Sequence, residues 1–582
     1  MRLLSLSLNG RYKGLQEQHF DFSESSGQVI ALIGLNGSGK SQLLELIAEC
    51  FAFLERVQRS DFKVKTSLGF GFTLEYQIHE RSNHSAGSAG MVCGGPLAQF
   101  GGIVNPSYRV ELAASSKTPQ AFVNQADSWQ LIPFEVIQLP RIVGYSSGLN
   151  ENLQRSFLKN ANQLYEGLNT RARRRRRLRR LADEYRHRRD EQSQLRYPQL
   201  IEELNEHFLT RYPHIFQQDI AEYGVGADRI QHAGPIIEVP LRSSTHVYLD
   251  YDSAQLAIAS LAILDNQMLA SALKGTTYHK PVLMQLEYDL ENWVIEEDLT
   301  KDIKKFIGDA FPHNVAGIGK ESSHEEYEEY ELEYLRGIID LDFTDLNVRN
   351  FLAQSNLDSG LRMFERLYRI QQLGLKKLNI TSRRELKNDH FMGAIKKPLK
   401  AKLPLSVKTL LLADAENQVV SYDDLSDGEA QLLQILSIIT LYKDEQTLFL
   451  FDEPETHLNP AWRTHFQGFL QQALLSGIGE AQVFLATHSP FMISSLYKEN
   501  VFMFQRDEDG TIDYRKPSEQ TYGASFDVLI KMFFGLHSLI SQSVIEEIRE
   551  QLKQGDSHAR QWIEQNLGMS PEKAYLMKRL EV

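Results

Sequence analysis

The eleven residues Ala31-Leu32-Ile33-Gly34-Leu35-Asn36-Gly37-Ser38-Gly39-Lys40-Ser41 constrain the fold of this chain more than any other stretch. They end an apolar run, Val29 to Ile33, and lead into a helix-like segment, Gln42 to Phe53. Strand, glycine-rich loop and helix in that order are the context of a phosphate-binding loop. The glycines let successive backbone N–H groups curl inward toward phosphate oxygens. The start of the helix adds its positive dipole end. Lys40 is expected to reach the outer phosphates and the Ser41 hydroxyl to ligate magnesium. Asn36, Gly37, Ser38, Gly39 and Gln42 complete the expected cradle. The fold class implied is α/β.

Composition bounds the rest. The chain has 582 residues, enough for two to four domains. Apolar residues make up 42% and charged residues 24%, the balance of an ordinary soluble protein. No apolar run approaches the length of a membrane span, and the N-terminus lacks the cationic start and apolar core of a signal peptide. Only Cys50 and Cys93 occur, with no metal-ligand spacing, which points to a reducing compartment; a cytoplasmic location is expected. A net charge of −13 argues against a chain that coats nucleic acid over its whole surface, while leaving room for a local basic site.

Three regions differ in character. Residues 1–150 carry short β-type runs at Leu3 to Leu8, Phe72 to Ile78, Arg109 to Ala113 and Arg141 to Tyr145, with a Gly/Ser-rich loop from Ser82 to Gly102. Residues 151–405 read as a mainly helical, charged insertion with two strand-like runs, His246 to Tyr251 and Pro281 to Tyr288. From 406 to 582 β-type runs return at Val407 to Leu412, Thr447 to Phe451, Gln482 to Ala486 and Val501 to Gln505. No internal repeat and no sustained heptad pattern is present.

A second set of motifs lies about 400 residues after the loop. Thr447-Leu448-Phe449-Leu450-Phe451-Asp452-Glu453 is an apolar strand ending in two carboxylates. An unbroken apolar run suits a parallel strand buried on both faces, and its end lies where nucleotides bind in α/β sheets. Asp452 is expected to hold magnesium through water, and Glu453 to orient and polarise an attacking water. Upstream, Leu425-Ser426-Asp427-Gly428-Glu429-Ala430-Gln431 runs into an apolar helix, Leu432 to Tyr442. Downstream come Glu455-Thr456-His457-Leu458-Asn459-Pro460 and then Ala486-Thr487-His488-Ser489-Pro490, which ends the next apolar strand.

This succession resembles the ABC-type ATPases. Leu425 to Gln431 is similar to their signature, usually Leu-Ser-Gly-Gly-Gln, with departures at Asp427 and Glu429. By that resemblance Ser426, Gly428 and Glu429 would face the γ-phosphate of a nucleotide held by the other subunit of a head-to-tail dimer. Alone, the same residues read as a helix N-cap with an acidic first turn. Glu455 to Pro460 sits where the family carries the loop crossing the dimer interface, and His488 resembles the switch histidine. Asn9-Gly10-Arg11-Tyr12-Lys13 is similar to the start of SMC-related repair ATPases, in which an arginine such as Arg11 touches phosphate; a solvated turn arginine is the plain alternative. The magnesium-sensing glutamine of the family has no counterpart: the strand ends in Tyr145-Ser146-Ser147-Gly148, with Gln138 before and Asn150 after.

The spacing resembles the compact, AAA-annotated ATPases of prokaryotic defence islands. These include the OLD family, the PtuA-type ATPases of Septu and retron systems, and restriction-associated ATPases. The resemblance implies an ABC-type P-loop head, a mixed sheet with flanking helices, split by a large insertion. It also implies ATP and Mg2+ as ligands, a homodimer or higher even-numbered oligomer, and a sensor or regulatory role in antiphage defence beside a separate nuclease effector. Residues 491–582 lack the strand-end Glu and Asp-x-Asp arrangement of a two-metal nuclease, and Asp507 to Asp509 read as a hairpin turn before Gly510. An ATP-locked scaffold with little hydrolysis and a DNA-repair ATPase are the rival readings.

Finally, eleven arginines crowd into nineteen positions: Arg171, Arg173, Arg174, Arg175, Arg176, Arg177, Arg179, Arg180, Arg186, Arg188 and Arg189. On a helix this charge surrounds the whole circumference, and like charges repel. A nucleic-acid backbone, DNA or RNA, would relieve it. So would an acidic partner such as Glu325-Glu326-Tyr327-Glu328-Glu329-Tyr330-Glu331.

Overall fold

The computed structural model describes residues 1–58, 64, 66–79, 105–125, 128–147, 152–163, 165–166, 196, 199–200, 203, 244–264, 266–290, 315–318, 321–322, 333–354, 359–396, 398–475, 481–535 and 540–580. The arginine-rich segment, the acidic run at 325–331 and the 82–102 loop lie outside them.

A seven-stranded sheet forms the centre. Its order is His246–Leu249, Arg141–Ser146, Thr447–Asp452, Gln482–Thr487, Val29–Gly34, Val501–Arg506 and Ile512–Arg515. All neighbours are parallel except the last pair, a hairpin. The turn of that hairpin is the predicted one, with the Asp507 and Thr511 backbones bonded across it at 2.9 Å. The fold is thus mixed α/β, with helices flanking a mostly parallel sheet. The apolar runs have no polar alternation because both faces are covered. Ile30, Leu32, Leu448, Leu450, Phe484 and Phe502 pack on one side. Val29, Ala31, Ile33, Phe449, Phe451, Val483 and Leu485 pack on the other.

The first face meets the helix Lys40–Gln58 and, beyond it, an antiparallel sheet ordered His19–Asp21, Arg2–Asn9, Gly71–Gln77, Ser107–Leu112, Gln120–Gln125 and Ser128–Ile132. The second face meets the helices Asp427–Tyr442, Pro460–Leu475, Tyr251–Ser260 and Gly360–Gln372. Behind these lies an antiparallel sheet ordered Val315–Gly317, Arg336–Asp342, Lys280–Asp289, Leu405–Ala413 and Val419–Ser421.

Strand pairing crosses both of the divisions expected at 150 and 405. His246–Leu249, from the insertion, is an edge of the central sheet and pairs with Arg141–Ser146. Leu405–Ala413 pairs with Lys280–Asp289, and Val419–Ser421 pairs with Leu405–Ala413. The insertion therefore contributes strands as well as helices. The physical reason is edge protection: without His246–Leu249, Arg141–Ser146 would present unpaired backbone groups.

Candidate functional site

The phosphate loop is shaped by close packing from the far strands. Gly39 has φ +107°, and a Cβ there would lie 2.7 Å from the Ile512 side chain, so only glycine fits both the backbone and the space. Arg506, at the end of its strand, donates from Nε to the Gly37 carbonyl at 2.8 Å and holds the loop from below. Nothing in the sequence distinguished this arginine from a solvated one, since it precedes an ordinary hairpin turn.

Inside the loop, Lys40 is 4% exposed. Its Nζ donates to the carbonyls of Gly34 at 3.0 Å and Leu35 at 3.1 Å. Burial lowers its ammonium to about 8, against the opposing pull of Glu453, Asp452 and Glu455. A desolvated cation folded onto its own loop is poised to turn toward an incoming anion. Ser38 Oγ is buried and has no hydrogen-bond partner. An orphan hydroxyl and a desolvated lysine in the glycine-rich loop fit a bound triphosphate.

Ser41 donates from Oγ to Asp452 Oδ1 at 2.8 Å. The two expected magnesium ligands, from residues far apart in the sequence, thus touch. Burial raises the Asp452 carboxyl to about 6, partly offset by the Ser41 hydrogen bond. A hydroxyl and a carboxylate at a parallel-strand end fit Mg2+, which keeps several of its waters and needs few protein ligands.

Glu453 follows in the left-handed region, φ +51°, with its N–H donating to the Ala486 carbonyl at 2.9 Å. A non-glycine residue held there is strained, and the neighbouring strand end supplies the restraint. The twist brings its carboxylate 2.8 Å from His488 Nε2. That hydrogen bond, with the charge of the imidazole and of Lys40, lowers the Glu453 carboxyl despite partial burial. Lys40 Nζ lies 3.2 and 3.4 Å from the two ring nitrogens of His488. Lys40, Ser41, Asp452, Glu453 and His488 therefore form one connected cluster.

The other predicted residues are placed differently. The Gln42 side chain accepts from the Gly14 N–H at 2.9 Å and so braces the Lys13-Gly14 turn. Arg11 is exposed on the short ribbon Arg11–Tyr12/Leu15–Gln16, and its Nε donates to the Lys13 carbonyl at 2.8 Å. Asn36 and Gly37 are exposed at the loop tip. Ser426 caps the helix Asp427–Tyr442 in a reciprocal box with Glu429. Its backbone N–H and hydroxyl both donate to the Glu429 carboxylate, at 3.2 and 2.8 Å. Within one chain the plain helix-cap reading thus describes Ser426 and Glu429, whose polar atoms satisfy each other. Gly428 packs tightly: a Cβ there would lie 2.8 Å from the His457 carbonyl.

Where a magnesium-sensing glutamine was sought, Ser146 stands opposite Asp452 in register. Ser147 follows, with its N–H donating to the Asp452 carbonyl at 3.2 Å and its hydroxyl 2.8 Å from that of Thr456. Gln431 donates to the Tyr145 hydroxyl at 3.1 Å and accepts from the His457 N–H at 3.0 Å. The loop 453–459 is tied in this way to both the signature-like helix and the strand Arg141–Ser146. These ties rest on serines, threonines and glutamines that no spacing rule marks. Among the described residues no group of three or more His, Cys, Asp or Glu is placed to hold a metal ion, and no helix is long and apolar enough to cross a membrane.

Comparison with known proteins bears on this site. A family model described as "AAA domain, putative AbiEii toxin, Type IV TA system" matches residues 315–494, which include Ser426, Asp452, Glu453 and His488 but not the phosphate loop. Protein ea59 of Escherichia phage lambda is 32% identical over 131 residues, 21% of this chain and 24% of that protein, so the likeness spans about a quarter of its length. Among solved structures, the Smc head domain of Pyrococcus furiosus with an extended coiled coil, bound to the C-terminal domain of ScpA, is 13% identical. That alignment covers 94% of this chain and 99% of the other, with a TM-score of 0.31. The SMC head domain of Thermotoga maritima is 10% identical over 89% and 100% of the two chains, also at 0.31. The site and the family match define an AAA-type P-loop ATPase domain.

Proposed function

We propose that the chain binds and slowly hydrolyses Mg-ATP in a head-to-tail dimer, and that its nucleotide state controls a separate effector, a nuclease, in antiphage defence. The observation that carries the chemistry is the connected cluster Lys40, Ser41, Asp452, Glu453 and His488. Lys40 and the loop N–H groups would hold the outer phosphates. Magnesium, held by Ser41 and Asp452, would supply charge neutralisation on the phosphates. Glu453 would accept the proton of the attacking water, with its carboxylate aimed by His488 and by the strained backbone behind it. Ser426 of a second copy would close the site once its hydroxyl turns from Glu429. The arginine-rich segment, outside the described residues, would contact DNA or RNA backbone. The cytoplasm is the proposed location. The defence role rests on family analogy.

Glu453→Gln tests the chemistry. The variant should bind ATP within about twofold of the parent and lose at least about a hundredfold in turnover, read by phosphate release and by a fluorescent nucleotide. A variant that turns over ATP as fast as the parent would remove Glu453 as the base. The Ser426–Glu429 capping box favours a second reading, in which the signature stays closed and the chain is an ATP-locked scaffold. Phosphate release with and without DNA separates them: stimulated turnover marks a sensor, and stoichiometric retention of ATP marks a scaffold.

A further inference from the structure

The segment that follows Asp452-Glu453 sends one carboxylate back beneath the site. Glu455 is 4% exposed, yet it lies between an exposed loop and the catalytic strand ends. Its Oε1 accepts a hydrogen bond from the Thr487 hydroxyl, the residue immediately before His488. Thr487 Oγ1 in turn accepts from the Ser489 N–H at 2.9 Å, the residue immediately after His488. The histidine is therefore bracketed: both neighbours in sequence are fixed through one hydroxyl, and that hydroxyl is fixed by Glu455. Glu455 Oε2 is buried with no hydrogen-bond partner. A buried carboxyl left half-satisfied is costly unless its geometry serves something. Among the described residues, the Glu455–Thr487 and Glu453–His488 pairs are the side-chain hydrogen bonds that join the loop 453–459 to the strand end carrying His488.

We propose that Glu455 is a positioning residue for the reaction: a buried strap, Glu455 to Thr487 to Ser489, that fixes His488 at hydrogen-bonding distance from Glu453. This rests on the ATPase reading above. Glu455 itself touches neither phosphate nor water in the proposed chemistry. The loop bearing Glu455 also bears Thr456 and His457, which are bonded to Ser147 and to Gln431. A shift of that loop on dimer closure would reach the histidine through the same strap.

The test is a mutant cycle on the full-length protein, read by phosphate release and by fluorescent ATP binding. Glu455→Ala and Thr487→Val, the second nearly isosteric, should each lower kcat about tenfold or more while leaving ATP affinity within about twofold. The double variant should be no slower than either single, because the two side chains act as one unit. Glu455→Gln, whose side-chain carbonyl can still accept from Thr487, should restore kcat to near the parent value. Parent-like kcat in Thr487→Val, additive losses in the double variant, or a Glu455→Gln as slow as Glu455→Ala would each overturn the strap. If Glu455→Ala fails to fold, Thr487→Val and Glu455→Gln still decide the question. A parent protein that shows no turnover would overturn the ATPase reading instead, and Glu453→Gln run beside these variants keeps the two failures apart.

Discussion

At the scale of single residues, charge states follow from burial at the strand ends. Glu455 is pushed up to about 7, first by burial, with the Thr487 hydrogen bond and Arg463 pulling the other way. A carboxyl whose folded pKa lies above its unfolded value stabilises the fold fully below the ordinary carboxyl range. That contribution is lost as the pH rises toward and through about 7. The cost of ionising it in place is on the order of 3 kcal/mol. Thermal melts from pH 5 to pH 8 should therefore show the parent losing stability relative to Glu455→Gln, which cannot ionise, and a parallel pair of curves would contradict this. At this scale the sequence was informative where a motif fixes spacing. That Lys40, Ser41, Asp452, Glu453 and His488 come together was legible, because their motifs place them at a loop and two strand ends of one sheet. Arg506, Thr487 and Ser147 were not, since their roles exist only through partners hundreds of residues away or across a strand pair. The hydrogen bond of Gln42 to the Gly14 N–H was equally hidden, because Gly14 belongs to a turn that no pattern places beside the loop.

At the scale of elements, the helix after the loop is the least ordinary. Lys40–Gln58 buries Glu45, Glu49 and Glu55 along with its apolar residues. Glu49 accepts from Lys159 at 2.8 Å and from Ser156 at 2.7 Å, and Arg56 bridges Asp389 at 3.0 Å. Burial alone would raise the Glu49 carboxyl; Lys159, Arg56 and Arg155 overcome it and hold it down to about 2. The pairing clamps the phosphate-loop helix to the first turns of the insertion. Removing one partner of a buried ionic cluster leaves charge uncompensated, so Lys159→Met should destabilise by about 3 kcal/mol, read as a lower urea midpoint at pH 7. A carboxyl depressed in the fold loses its contribution as the pH falls from the ordinary carboxyl range toward 2. The gap between parent and variant should therefore narrow on acidification, and a gap that is absent at pH 7 would remove the clamp from the account. The sequence shows this segment only as helix-like, because the partners of Glu49 lie 107 and 110 positions away and no periodicity points to them. Strands were read best where they are buried on both sides, as at Thr447–Asp452. Gln120–Gln125 and Ser128–Ile132 escaped notice because one face of each is polar and their turns are ordinary. Arg336–Asp342 escaped it because Gly337 and two aspartates interrupt its apolar positions.

At the scale of the whole molecule, the proposed dimer asks the start of the helix Asp427–Tyr442 to face the nucleotide held around Lys40 and Asp452 of a second copy. Ser426 is exposed, and its hydroxyl donates to its own Glu429. The helix behind it is fixed rigidly, since Gly428 abuts the His457 carbonyl and Gln431 is bonded on both sides. A helix start presented on a rigid base is a ready anion site for a facing phosphate, and its dipole favours that charge. The capping box need only exchange one hydroxyl hydrogen bond for a γ-phosphate contact, so closure asks for a side-chain rotation and no refolding. Hydrolysis should oppose stable closure, which makes the Glu453→Gln protein the right material. In sedimentation velocity it should run at monomer mass without nucleotide and at twice that mass with Mg-ATP. Adding Ser426→Arg, which places a bulky side chain where the facing phosphate would sit, should return it to monomer mass while each chain still binds one nucleotide. A Glu453→Gln protein that stays monomeric in saturating Mg-ATP, or a doubly substituted protein that still doubles its mass, would show that the site is not closed by a second copy through Ser426.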